Sequence, residues 1–318
     1  MAAAEGVGLA SACGEKARAD LEWDRLLGAL SDLCPGPLGR RAVLSLPFLS
    51  TRQAVDQSLC EVREAYESLR DGEPIPTGAA PIISDSVERL RAGGALGQRE
   101  LRDVGQVLEC ARILRRFLQS RRLRMPTLVE SCSSESSLDG LERELSDAFD
   151  DDGSISDRAS PKLRELRAAR ISTRERLIHR LEDVMQKFAA TLQDNFFTER
   201  EGRFVLPVRS DSHERFAGIV HGTSGSGQTL FMEPRVVIPI GNRLKMIDSE
   251  IEREEHAILA QLSAQVCDAI ELVAQAETSL ARAEQRLASA RLAERLQLVF
   301  PAIGDAPFAK LLAARHPL

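Results

Sequence analysis

A near-heptad apolar stripe in the last third of the chain limits its possible folds more than any other feature. Leu244, Ile247, Ile251, Ile258, Leu262, Val266, Ala269, Val273, Ala276, Leu280, Ala283 and Leu287 recur at steps of three and four, with one gap around His256. About six heptads of this kind predict one helix over 241–298, roughly 60–80 Å long at ~1.5 Å per residue. A helix of that length needs a partner for its stripe. Leu163, Leu166, Arg170, Leu177, Leu181, Val184, Phe188 and Leu192 repeat at similar spacing over 160–199, opened by Ser160-Pro161 with proline at the first helical position. The two read as an antiparallel coiled-coil arm, or lever.

Between them the period changes from helical to alternating. Arg203–Arg209, Phe216–His221, Thr229–Pro234 and Val236–Ile240 are short apolar runs that read as strands, with Gly222-Thr-Ser-Gly-Ser-Gly227 as a turn. They predict a small antiparallel β module over 200–240, with Pro207 and Pro239 at edges or strand ends. Residues 19–159 read as a helical core: Asp20 caps a first helix that Cys34-Pro-Gly-Pro37 stops, and Ser50 with Gln53 forms a capping box for a helix over 51–69. A stronger helix covers 97–120, and another covers 136–149. Residues 1–18 read as a disordered tail, and 299–318 as the start of a link onward. The fold class is therefore mainly α with a small antiparallel β module. Only 4% of the residues are aromatic, so the cores must be built from Leu, Ala, Val and Ile, which suits helix-on-helix packing.

The net charge of −6 counts against a uniformly basic nucleic-acid binder, so any such binding needs a local patch. Six scattered cysteines, Cys13, Cys34, Cys60, Cys110, Cys132 and Cys267, have no metal-ligand spacing and read as reduced thiols. No run of about 18 apolar residues is present to span a membrane. A cytoplasmic location is expected.

Three motifs suggest chemistry. Gly222 to Thr229 fits the phosphate-loop spacing, but Gln228 stands where the lysine belongs and strand rather than helix follows, which favours a hairpin turn. Asp150-Asp-Asp-Gly153 has the look of a calcium loop, yet Ala148 and Ala159 occupy the first and last ligand positions, which favours a plain turn. Arg112, Arg115, Arg116, Arg121, Arg122 and Arg124 form an acid-free basic run. It is either a solvated helix face or a phosphate-contacting patch. His179, His213, His221, His256 and His316 show no ligand-pair spacing, and no catalytic residue set is evident.

Glu201-Gly-Arg-Phe-Val-Leu-Pro-Val-Arg209, Gly218-Ile-Val-His221 and Ser224-Gly-Ser-Gly-Gln-Thr-Leu-Phe-Met-Glu-Pro234 together resemble the clamp segment of the MutS superfamily. Asn242-Arg-Leu244 and Glu250-Ile-Glu-Arg-Glu-Glu255 continue the match. Leu21-Glu-Trp-Asp-Arg-Leu-Leu27, Gly39, Leu46, Ala159-Ser-Pro-Lys-Leu163 and Ala314-Arg-His-Pro-Leu318 are similar to the MutS-two subfamily. Glu284 stands where that family usually has Asp. The resemblance covers roughly 20–318 and implies a MutS-like core, a lever and a clamp. In the family a P-loop ATPase, which uses ATP and Mg and supplies homodimerisation, follows the Arg-His-Pro-Leu segment, with a nuclease domain further on. Neither is expected within these residues, nor any cofactor. Family roles imply branched or mismatched DNA, with recombination suppression and DNA repair, or stalled ribosomes and their rRNA, as targets. The expected contacts at the clamp are Arg203, Arg209, Arg215, His221, Ser224, Ser226 and Arg235, with the Arg112–Arg124 run as a second patch. The competing expectation is a structural lever that mediates dimerisation without touching nucleic acid.

Overall fold

A computed structural model describes residues 14–304, 310–312, 314 and 315. Cys13, His316 and most of the tail read over 1–18 lie outside the described residues. Within them the chain forms eleven α-helices and one four-stranded antiparallel sheet, the mainly α class with a small β module that the periodicity predicts. Two compact units divide it: 1–154 with 259–318, and 155–258.

The first unit holds α1 (Glu15–Asp20), α2 (Trp23–Ser31), α3 (Pro37–Leu44), α4 (Arg52–Arg70), α5 (Ser84–Arg91), α6 (Gln98–Ser120), α7 (Pro126–Cys132), α8 (Leu138–Asp147) and, near the other end of the sequence, α11 (Ile270–Leu296). Small side chains dominate the buried positions of α11, among them Ala276, Ala283, Ala288, Ala290 and Ala293, and let α2 through α7 pack closely around it. The stripe of α6, from Leu101 through Val104, Leu108, Ala111 and Leu114 to Leu118, is buried as its spacing predicts.

Three short helices here, α3, α5 and α7, lack any capping side chain of their own. Each instead receives a carboxylate from a long helix. Glu284 of α11 accepts the Gly39 N–H at 2.9 Å, Glu277 of α11 accepts the Ile83 N–H at 3.0 Å, and Glu64 of α4 accepts the Thr127 and Leu128 N–H groups at 2.9 and 2.8 Å. Helix N-termini leave unpaired donors and a partial positive charge, so a carboxylate satisfies both. Glu277 and Glu284 lie two helical turns apart and serve α5 and α3 from the same side of α11.

Several local expectations need correction. Asp20 ends α1 and caps nothing; Glu22, in the left-handed region, precedes α2 instead. The cap of α4 is Thr51, whose Oγ1 accepts the Ala54 N–H at 3.2 Å, one residue beyond Ser50. Pro37 does not merely stop a helix but occupies the first turn of α3. The run over 241–298 is not one helix: α10 (Ile238–Asp268) and α11 are separated at Ala269. No Pro or Gly stands there and the stripe keeps its spacing, so local propensity does not account for the break.

The second unit contains α9 (Pro161–Lys187), β1 (Thr198–Arg200), β2 (Arg203–Arg209), a 3₁₀ turn (His213–Arg215), β3 (Gly218–Thr223), β4 (Thr229–Pro234) and most of α10. Ser160 caps α9 through the Leu163 N–H at 3.3 Å, as expected. The helix stops at Lys187, short of the predicted end, because the chain turns to pair with β2: the Gln193 N–H reaches the Pro207 carbonyl at 2.8 Å, and the Arg209 N–H reaches that of Thr191 at 3.0 Å. Strand order is β1-β2-β4-β3, with Leu206 opposite Met232 and Ile219 opposite Glu233. Leu177, Leu181 and Val184 of α9 pack with Phe204, Leu206, Val208, Phe216, Met232 and Leu244 in one core.

Pro207 lies inside β2, not at an edge. In an antiparallel strand a residue's N–H and C=O point to the same side, and on that side Pro207 meets the irregular segment 191–193, so its missing donor breaks no ladder. Val236–Ile240 is not a strand. It turns into α10, placing Pro239 in the first helical turn, where it is tolerated.

Candidate functional site

The glycine-rich segment is a hairpin turn. The Ser224 N–H bonds the Thr229 carbonyl at 2.8 Å, the Ser224 hydroxyl accepts the Thr229 N–H at 3.1 Å, and Gly227 adopts φ +73. Thr229 opens β4, so no helix N-terminus faces the glycines. At Asp150–Gly153 the Asp152 carboxylate is occupied by the Ser154 N–H and hydroxyl, at 2.8 and 2.7 Å. Among the described residues no group of three His, Cys, Asp or Glu side chains could hold a metal ion.

The seven residues expected to contact phosphate are dispersed over the sheet. Arg203 and His221 both turn to Glu233, which is 3% exposed: His221 Nε2 lies 2.9 Å from Glu233 Oε2, and Arg203 Nη1 lies 3.5 Å from Oε1 while donating to Asn242 Oδ1 at 2.7 Å. His221 sits at a register irregularity in β3, between Val220 and Gly222, which turns it toward this carboxylate. The other five residues are exposed or half-buried at the surface. Arg209 stands at the hairpin end with Ser224 and Ser226, and pairs with Asp211 at 3.1 Å. The Ser212 hydroxyl and the Arg209 guanidinium hold the Asp211 carboxyl below its usual range. Arg235 lies at the opposite end, six residues from Thr229 and about 20 Å away along β4 at ~3.3 Å per residue. Its backbone N–H bonds the carbonyl of Ala217, two residues after Arg215.

Most of the basic run is neutralised within the first unit. Arg112 pairs with Glu142 at 3.0 Å and Arg115 with Asp139 at 2.6 Å, joining α6 to α8. Arg121 pairs with Glu73 at 2.9 Å and lies over the Phe117 ring, and Arg124 pairs with Asp71. Only Arg116 and Arg122 of the six are exposed without an ion pair among the described residues. One stacked pair went unforeseen: the Arg200 guanidinium lies 3.4 Å above the centre of the Phe231 ring. No sequence pattern announces it, because the partners sit on β1 and β4 with β2 between them.

No family model matches the chain. Proteins bearing the name Endonuclease MutS2 do. The one from Geobacillus sp. (strain WCH70) is 30% identical over 303 residues, 94% of this chain. Those from Listeria welshimeri and Thermomicrobium roseum are 31% and 32% identical over 311 and 312 residues, 96% and 94% of the chain. The chain is MutS2-like over nearly its whole length. It spans 39% of the length of each of these relatives.

Two residues that carry the MutS2-like resemblance have clear structural duties. Trp23 stacks on Phe48, with ring centres 4.7 Å apart, and packs against Leu27, Leu30, Cys34, Val43 and Ala288. Gly39 leaves no room for a side chain, since a Cβ there would strike Glu284. Glu284, at the position where an Asp was expected, is fully buried, and that burial pushes its carboxyl up to about 7 against the N–H groups of Gly39 and Gly36.

Proposed function

We propose that this chain is the nucleic-acid-holding part of a MutS2-like protein. In this reading the 198–234 sheet is the clamp, α9 and α10 form the lever, and ATP turnover and strand cleavage belong to sequence outside residues 1–318. The observation that carries it is the match over 94–96% of the chain to proteins whose name is that of an endonuclease. The exposed Arg209, Arg215 and Arg235 supply phosphate contacts, with Ser224 and Ser226 beside Arg209. Arg203 and His221 hold the sheet in shape around Glu233. Branched or mismatched DNA and stalled ribosomes are the targets, the location is cytoplasmic, and homodimerisation belongs to the longer protein. No single described helix is long and apolar enough to cross a membrane.

Titration of the purified chain against a four-way DNA junction and against ribosomes, at 50 and 200 mM salt, tests this. Replacing Arg209, Arg215 and Arg235 by Ala is expected to weaken binding and to flatten the dependence of log K on log salt by up to about 3, one for each phosphate that is no longer neutralised. Absence of binding at 50 mM salt, or a slope unchanged by the triple variant, defeats the proposal.

The dimerising lever keeps one supporting observation. β3 is an edge strand with Ile219 and Val220 about half exposed, and unpaired strand edges favour association. Sedimentation equilibrium of the same triple variant separates the readings: unchanged self-association with lost nucleic-acid affinity favours the clamp, and the converse favours the lever.

A further inference from the structure

A pocket of about 150 Å³ in the 155–258 unit, at the Arg203 end of the sheet, is lined by four cations and three acids. Two of the acids are already engaged. Asp248 takes Arg170 at 2.6 Å, and Glu233 takes His221 and Arg203. Arg174 of α9 and Lys245 of α10 have no ion pair among the described residues, and Glu199 is the one acid facing them unpaired. The unpaired groups, all on exposed residues at the rim of the pocket, leave one net positive charge beside a concave surface.

Two glycines line the pocket. Gly202 adopts φ +67 in the β1–β2 turn, and a Cβ there would come within 3.2 Å of Lys245 Nζ. Gly241, in the first turn of α10, has Glu233 and Leu177 as its nearest neighbours. The Lys245 ammonium makes only a long contact, 3.4 Å, with the Glu201 carbonyl, so its donors are available. The space in the pocket is enough for a phosphate group.

We propose that Arg174 and Lys245, with Arg203 behind them, form a phosphate-binding site. None of the sequence patterns marks it, because its residues come from two helices and a strand far apart in the chain. The identity of the ligand as a backbone phosphodiester rests on the nucleic-acid reading above, whereas the site itself does not. A phosphodiester and free inorganic phosphate share the recognised chemistry, and the experiment separates them.

Binding of inorganic phosphate, followed by calorimetry, and of the four-way junction is measured for the full 318-residue chain, for Arg174→Ala/Lys245→Ala and for Glu199→Gln. The double variant is expected to lose about tenfold in affinity at 50 mM salt and to lower the salt slope for the junction by about 1. Glu199→Gln, which removes the opposing charge, is expected to tighten binding about threefold, an outcome that misfolding cannot produce. Loss of phosphate binding with junction affinity unchanged supports a site for free phosphate only. Phosphate binding by a chain that ignores the junction overturns the clamp and leaves the pocket standing. If neither variant changes either affinity, the pocket proposal is wrong.

Discussion

Glu284 and Glu233 are buried carboxylates with opposite surroundings. Glu233 meets a histidine and an arginine, whereas Glu284 meets the backbone N–H groups of Gly39 and Gly36, with its Oε1 unpartnered. Burial dominates at Glu284 and raises its carboxyl from the ordinary 4.5 to about 7. The folded state therefore holds a proton that the unfolded chain releases above about 4.5. By linkage the Glu284 contribution to stability falls as pH rises from about 4.5 to about 7 and then levels off. Thermal denaturation at half-unit steps from pH 5 to 8 should reveal that decline, and Glu284→Gln, which cannot ionise, should flatten it. Glu284→Ala should cost about 1–3 kcal/mol through the N–H groups left unpaired. Glu233→Ala removes the buried partner of two half-buried basic groups and should cost ~1.5–3 kcal/mol, while Arg209→Ala, on an exposed pair, should change stability little. Urea titration checks both, and equal small losses would contradict the internal role assigned to Glu233.

Among elements, α9 and α10 illustrate what a periodic sequence conveys and what it omits. Their contacts run in antiparallel order, Ser160 and Lys162 with Glu254, Arg167 with Glu255, Arg170 with Asp248, and Gly241 beside Leu177. The expected direction of the pair was legible in the sequence. Its chemistry was less so, since between Leu163 and Leu177 the buried position is Thr173 and the acidic run 250–255 meets Lys162 and Arg167. Partly exposed ion pairs contribute ~0–1 kcal/mol each, so Arg170→Ala should change stability little, whereas Leu177→Ala should cost ~2–5 kcal/mol. β2 and β4 were readable to the residue because each is a short apolar run entered from a glycine-bearing turn. β1 is too short to alternate, and the 236–240 run, rich in β-branched residues, has the composition of a strand but enters a helix. Ion pairing across Arg112, Arg115, Arg121 and Arg124 was invisible for another reason. Their acids lie 30, 24, 48 and 53 residues away, and only the packed fold brings them together.

Taken as a whole molecule, the 155–258 unit has its own buried core and interrupts the other unit in sequence. Compact units with separate cores unfold as separate cooperative steps. Calorimetry should therefore resolve two transitions. Leu118→Ala should shift one of them and Leu206→Ala the other, each by ~2–5 kcal/mol, since both side chains are fully buried. A single transition moved by both variants would mean that the units melt together.

The discontinuity of the first unit also imposes an order of events during synthesis. The residues that accept capping carboxylates from α11 are at Gly39 and Ile83, while α11 itself ends at Leu296. At ~5–20 residues per second, about 140 residues must be made after Ser154 before that helix is finished, a delay of roughly 7–30 s. For that interval α3 and α5 have neither their caps nor the alanine-rich surface they pack on, so the leading part of the chain waits on the ribosome for the helix that completes it.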